Sequence, residues 1–291
     1  MSAADSPPGL TDELYDLLRE EIYRYSGLRF DRQAKPTFEH RLQPRLAQCG
    51  CRNFRDYYLY LRCDPRRDDE LAECVDLIAV HETYFFREMS QLTNFADELL
   101  PELIARRRSH RSLRIWSAGC STGEEPYSLA MLLSERPELE GWEIEITATD
   151  ISRRVLQHAR QAVYRENSFR SADPAYVARF FRKTADGMQL RPAPRRLVTF
   201  IRLNLLDQAR QRLIWEMDAI FCRNVLIYFD QEAKQRAADL FYEKLSPGGY
   251  LLLGHAESLL HMATPFLRRS MQQDLAYQKP LPALASRPGK R

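Results

Sequence analysis

No stretch of this 291-residue chain approaches the ~20 consecutive apolar residues that a membrane-crossing helix requires, so insertion into a bilayer is not expected. Residues 1–8 have neither a basic start nor an apolar core; no signal peptide is expected, and a cytoplasmic location is. Charge of one sign is also lacking, since 43 Lys+Arg face 40 Asp+Glu and the net is only +3. That is little for a nucleic-acid binder. The six cysteines, Cys49, Cys51, Cys63, Cys74, Cys120 and Cys222, fall at irregular spacings without a CxxC or a neighbouring His pair. Reduced thiols are expected rather than disulfides or a metal centre. There is no internal repeat.

Up to about Arg108 nothing reads as a strand. Leu10, Leu14, Leu17, Leu18 and Ile22 recur at helical spacing before Gly27, and Phe38, Leu42 and Leu46 form a second stripe in which Pro44 should kink the helix or delay its start. Asn53 is placed to cap a third helix carrying Phe54, Tyr57, Tyr58 and Leu61, and Leu71, Val75 and Ile78 mark a fourth. Residues 29–67 hold ten Lys/Arg against four acids, a local excess suited either to solvation or to an acidic partner. A second basic cluster, Arg106–Arg108 with Arg111 and Arg114, is expected to complement a helix dipole.

Beyond Arg111, short apolar runs alternate with helical patterns: Leu113–Ala118, Glu143–Thr149, Leu197–Ile201, Asp218–Cys222 and Gly249–Gly254. This predicts an α/β fold with a mostly parallel sheet covered on both faces. A long insert, about Val163 to Arg196, interrupts the alternation and is too rich in Arg, aromatics and Pro for a plain crossover helix.

Three segments at strand ends carry chemistry. The first strand runs into Gly119-Cys120-Ser121-Thr122-Gly123-Glu124-Glu125, a glycine-containing turn that opens a helix at the ligand-binding edge of such a sheet. It lacks the GxGxxG spacing, and its two carboxylates would repel a pyrophosphate while suiting an ammonium or sulfonium; the plainer alternative is that they decorate a helix N-terminus. The second strand ends in Asp150, able to accept from both hydroxyls of a ribose, or else to cap the next helix. The fourth runs into Arg223-Asn224, followed by Tyr228, which serves a ligand or packs in the core. Together these describe a nucleoside site without a phosphate. The segment His81–Glu88 joins the two halves and mixes polar groups with three aromatics.

Trp116–Ser128, the Thr83-x-Phe85-Phe86-Arg87 segment and Phe221–Asp230 resemble the CheR family of chemotaxis receptor methyltransferases, in family order over roughly residues 10 to 278. The resemblance implies an N-terminal all-α domain (10–90) with a basic docking face and a class I, Rossmann-like methyltransferase domain (91–280). It also implies a small β subdomain inserted at about 163–196, ahead of a tail (281–291). It implies S-adenosyl-L-methionine as cofactor, S-adenosyl-L-homocysteine as product, and glutamates on the cytoplasmic helical domain of chemoreceptors as methyl acceptors, with no nucleic acid as partner. Residue by residue, it puts His81, Thr83, Arg87, Glu124, Glu125, Asp150, Asn204, Leu205, Arg223 and Asn224 around the cofactor, with Arg87 and Tyr228 near the methyl group. His81 stands where many members have Asn. The alternatives are a cofactor-binding sensor or scaffold, and a nucleic-acid methyltransferase. Against the latter, Arg223-Asn224-Val225-Leu226 stands where an Asn-Pro-Pro-Tyr-type motif would follow the fourth strand.

Overall fold

A computed structural model describes residues 9–79, 81–272 and 274–282. The tail expected over 281–291 therefore lies, from 283 onward, outside the described residues. The chain begins with α1 (Asp12–Ser26), α2 (Lys35–Gln48), α3 (Phe54–Cys63) and α4 (Arg67–Ile78). Their ends follow capping chemistry: Thr11 Oγ1 accepts from the Leu14 N–H, Asn53 Oδ1 accepts from the Asp56 N–H, and Gly27 closes α1 at φ +76°, where a side chain would be strained. Tyr15, Leu18, Ile22, Phe38, Leu42, Phe54, Tyr57, Leu61, Leu71 and Val75 meet in one core. Leu17, counted with the first stripe, faces solvent instead. Pro44 neither ends α2 nor delays it, since the helix runs unbroken from Lys35 to Gln48. The bond lost is the one to the His40 carbonyl, mid-helix on an exposed residue where water can replace it.

The expected basic face is partly neutralised within this unit. Lys35 pairs with Asp12, Arg32 with Asp16 (2.8 Å) and Arg45 with the buried Glu70 (2.5 Å), partners supplied by α1 and α4 from outside the basic stretch. Over residues 9–79 the sequence holds 12 Lys/Arg and 14 Asp/Glu. The excess is a local feature of α2 and α3.

The linker leads into α5 (Met89–Asn94), which passes through one wide turn, Phe95–Leu99, into α6 (Leu100–Arg107). The remaining elements are β1 (Ser112–Ala118), α7 (Glu124–Ser134), β2 (Glu143–Asp150), α8 (Arg153–Gln161), β3 (Val163–Tyr164), α9 (Pro174–Phe180), β4 (Phe181–Lys183), β5 (Met188–Leu190), α10 (Pro192–Arg195), β6 (Val198–Arg202), β7 (Met217–Cys222), α11 (Gln231–Lys244), β8 (Leu245–Leu253), β9 (Leu267–Ser270) and β10 (Leu275–Gln278). Arg106 and Arg107 do more than oppose a dipole: Arg106 reaches the Gly248 carbonyl, and Arg107 holds Asp218 at 2.6 Å, clamping α6 to β7 and β8.

Among the described residues, seven strands form a sheet in the order β6-β2-β1-β7-β8-β10-β9; the first five are mutually parallel and the last two antiparallel. The five parallel strands are the five apolar runs. Chain order reverses beside β1, which opens a crevice at the carboxyl ends of β1, β2 and β7. The insert holds a second, antiparallel sheet in the order β3-β5-β4. It is fastened to the linker by Phe85, fully buried against Tyr164, Phe169 and Phe181.

The helical unit lies over the open crevice. Leu28 makes a two-residue antiparallel bridge with Phe229, the Arg29 N–H donates to the Tyr228 carbonyl (2.9 Å), Tyr23 donates to Asp230 (2.5 Å), and Arg154 reaches the Asp76 carbonyl (2.8 Å).

Candidate active site

A cavity of about 420 Å³ occupies the crevice, walled by the ends of β1, β2, β6 and β7, by the linker and by the loop after α1. His81, Thr83, Arg87, Glu125, Asp150, Asn204, Leu205, Arg223, Asn224 and Tyr228 all line it. Glu124 does not. Consecutive residues of a helix point about 100° apart, and Glu124 turns toward the insert, accepting from Thr122 (2.6 Å) and Ser168 (2.9 Å). Of the two carboxylates expected around the cofactor, Glu125 lines the cavity and Glu124 does not.

The turn after β1 owes its shape to backbone that few side chains tolerate. Gly119 has φ +79°, and a Cβ there would lie 2.3 Å from Val225 Cγ2. Ser121 and Asn224, both on the cavity wall, and Phe86 and Glu88 in the linker hold positive φ without being glycine. Strain of that kind persists where surrounding contacts enforce it, and it gathers at ligand sites.

Asp150 ends β2 with its carboxylate held by two backbone donors: Oδ2 accepts from the Ser121 N–H and Oδ1 from the Ser152 N–H, each at 2.9 Å. It does not cap α8. Ser152 does, accepting from the Val155 N–H. Each Asp150 oxygen keeps a lone pair for a further donor. Burial pushes its acid up, opposed by the backbone donors and by His81. Burial in turn pulls the His81 imidazole below its ordinary value.

Arg223 is the electrostatic centre. Its side chain is 2% exposed and lies between Glu88 (3.0 Å) and Glu125 (3.2 Å), while Nη2 also donates to the Arg87 carbonyl (2.5 Å). Burial pushes Glu125 up despite Arg223 and the Ser117 hydroxyl (2.7 Å). At Glu88 the same burial is outweighed by Arg223, and the acid falls below its usual range. Arg87 spends one donor on the Glu82 carbonyl (2.8 Å) and lies near the Tyr84 ring, whose centroid is 3.8 Å from the Arg170 guanidinium carbon of the insert. Burial raises the Tyr228 phenol, so it stays protonated and a donor at neutral pH.

Glu257, just after β8, was missed by sequence reasoning. Its carboxylate accepts four backbone N–H groups, from Asn224 (2.7 Å), Gly254 (2.8 Å), Val225 (2.9 Å) and Ile227 (3.2 Å). The available signal was its position: Gly254-His255-Ala256-Glu257 leaves the fifth apolar strand at the edge where ligands bind.

Three polar atoms of the cavity-lining residues, His81 Nε2, Ser121 Oγ and Arg223 Nε, are buried without a hydrogen-bond partner among the described residues. Buried polar groups are rarely left so, and all three suit a ligand that brings hydroxyls and a carboxylate. With the acids Asp150 and Glu125 on the same wall, the chemistry fits S-adenosyl-L-methionine better than a phosphate-bearing nucleotide.

Residues 81–275 match the family model described as the SAM-binding domain of CheR methyltransferase, and residues 13–79 match its all-alpha domain. The fold, the site and this match define a SAM-dependent methyltransferase of the Rossmann-like class. The chain is 37% identical over 273 residues to chemotaxis protein methyltransferase 2 of Vibrio cholerae, covering 93% of this chain and 94% of that protein. It is 34% identical to the chemotaxis protein methyltransferase of Escherichia coli strain K12 (89% of each chain) and 34% identical to that of Borreliella burgdorferi (85% and 88%). The chain belongs to the CheR methyltransferase family.

Proposed function

We propose that the protein transfers the methyl group of S-adenosyl-L-methionine to glutamate side chains on the cytoplasmic helical domain of chemoreceptors, forming methyl esters, and that it works in the cytoplasm. The observation that carries this reading is the pairing of acidic walls, Asp150 and Glu125, with the Arg87 guanidinium in one cavity. No helix among the described residues is long and apolar enough to cross a membrane, and the relatives are named for chemotaxis methylation.

An acceptor glutamate with an ordinary pKa of ~4.3 is already ionised at neutral pH, so no general base is needed. The bound cofactor supplies an electrophilic methyl on a positive sulfur. The work left to the chain is alignment and exclusion of water. In this reading Asp150 takes the ribose hydroxyls through its two remaining lone pairs. Glu125 and Arg223 receive the ammonium and carboxylate of the methionine part. Thr83, His81, Asn204, Leu205 and Asn224 complete the walls. Arg87 turns its unused donors toward one oxygen of the incoming carboxylate and leaves the other to attack, while the Tyr228 hydroxyl donates beside the methyl group.

The test is incubation with methyl-labelled cofactor and receptor-containing membranes, followed by alkali. Label that joins the receptor and leaves as methanol is the expected result, because carboxyl methyl esters hydrolyse in base and N-methyl groups do not. Alkali-stable label, or transfer to RNA or DNA instead, would overturn the reading.

A further inference from the structure

We infer that Glu257 is a positioning residue for methyl transfer: it fixes the Arg223–Tyr228 turn by gathering four backbone N–H groups on one carboxylate, and so sets where the Tyr228 hydroxyl stands. The inference rests on the reading above.

Four donors on one carboxylate exceed what turn formation requires. Three of them, Asn224, Val225 and Ile227, belong to a turn in which Asn224 holds φ +58°, a left-handed state that is uncommon outside glycine and that asparagine tolerates better than most. The fourth, Gly254, is packed against the same turn. A Cβ at Gly254 would lie 2.9 Å from Asn224 N, from Asn224 Nδ2 and from Glu257 Oε2, so no larger residue fits while the cradle is closed. The turn touches the cavity at both ends. Val225 covers Gly119 of the loop after β1, and Tyr228 passes its carbonyl to the Arg29 N–H of the helical unit. Glu257 is absent from the cavity wall itself, so its effect is exerted through the turn.

Gln at this position has a single acceptor oxygen, and its NH2 must face one pair of these N–H groups, donor against donor. Displacement of a reacting partner by about 1 Å can cost on the order of 100-fold in rate. Glu257→Gln is therefore expected to lower kcat by roughly 10- to 100-fold, with a smaller loss of cofactor affinity. Glu257→Asp, which keeps the charge, should recover part of the rate. Gly254→Ala pushes on the same turn without removing the carboxylate and should show the same split of kcat over cofactor Kd.

The experiment uses the full chain with labelled cofactor and receptor membranes, kcat being normalised to the cofactor-binding sites counted by calorimetry. Hydrogen exchange at the Asn224, Val225 and Ile227 amides is followed in parallel. Faster exchange at these amides together with a depressed per-site kcat supports the proposal. A per-site kcat equal to wild type in Glu257→Gln, or in Glu257→Asp and Gly254→Ala should the Gln variant not fold, would overturn it. Wild-type transfer in the same assay reports on the underlying reading, so a failure there is separate from a failure of the variants to differ.

Discussion

Replacing Asp150 by asparagine changes one atom and is far from conservative here. Asp150 is 8% exposed, and each oxygen accepts a backbone N–H at 2.9 Å. An amide offers one acceptor, so whichever way Asn turns, its NH2 meets either the Ser121 or the Ser152 N–H. A buried donor left unsatisfied costs about 1–3 kcal/mol of stability. The helix cap survives, because Ser152 supplies it. The cofactor loses at least one bond to a charged acceptor, worth about 1.5–3 kcal/mol. At about 1.4 kcal/mol per tenfold, Kd should rise by roughly 10- to 150-fold. Calorimetric titration with S-adenosyl-L-homocysteine, which lacks the reactive methyl, measures this on folded protein, and a melting curve reports the stability loss separately. If Tm falls while Kd stays at the wild-type value, Asp150 only braces the backbone and the ribose assignment is refuted.

Cofactor affinity should weaken as pH falls. Burial holds the folded-state pKa of Asp150 above its unfolded value, so its carboxylate takes up a proton, and loses an acceptor, at a higher pH than a free aspartate would; a Kd that stays constant as the pH is lowered to the ordinary aspartate value of 3.8 would contradict this. Arg87→Ala and Tyr228→Phe should each reduce kcat with little change in cofactor Kd, and retention of full turnover by both would remove their assigned roles. Gly119→Ala should destabilise the fold by more than ~1 kcal/mol, since φ is positive and Val225 Cγ2 occupies the space; an unchanged Tm would show that Val225 moves aside freely. Raising salt should slow methyl transfer only modestly, because half of the local excess of six positive charges is paired with acids of α1 and α4. A rate that collapses between low and physiological salt would show that an unpaired basic surface drives docking.

Of the five parallel strands, β1, β2, β7 and β8 were legible because strands buried within a sheet read as apolar runs, and β6, at the sheet edge, because its short run is flanked by polar residues. β9 and β10 were not, each having four residues, with β9 exposed along its whole length. Pro44 did not delay α2 because its cost depends on which carbonyl loses a partner, and here that is the His40 carbonyl, on an exposed residue that water can reach. Charge counted along the chain overstated the basic face because partners distant in sequence, Asp12, Asp16 and Glu70, are adjacent in space. At the site, the cavity-lining residues Asp150, Arg223 and Asn224 stood out as polar groups at strand ends. The choice between Glu124 and Glu125 needed the rotation of α7 relative to the sheet. Glu257 serves backbone groups, and a carboxylate that accepts N–H bonds from a neighbouring loop has no spacing of its own to betray it.

The stitch between Leu28 and Phe229, with the Arg29 amide on the Tyr228 carbonyl, ties the fate of the two halves together. The helical unit is not expected to behave as a detachable adaptor, because the loop leaving α1 also holds the backbone of Tyr228, a residue of the cavity wall. A graft that alters this loop is expected to carry its penalty into the chemical step, even when the graft folds and still recognises its target.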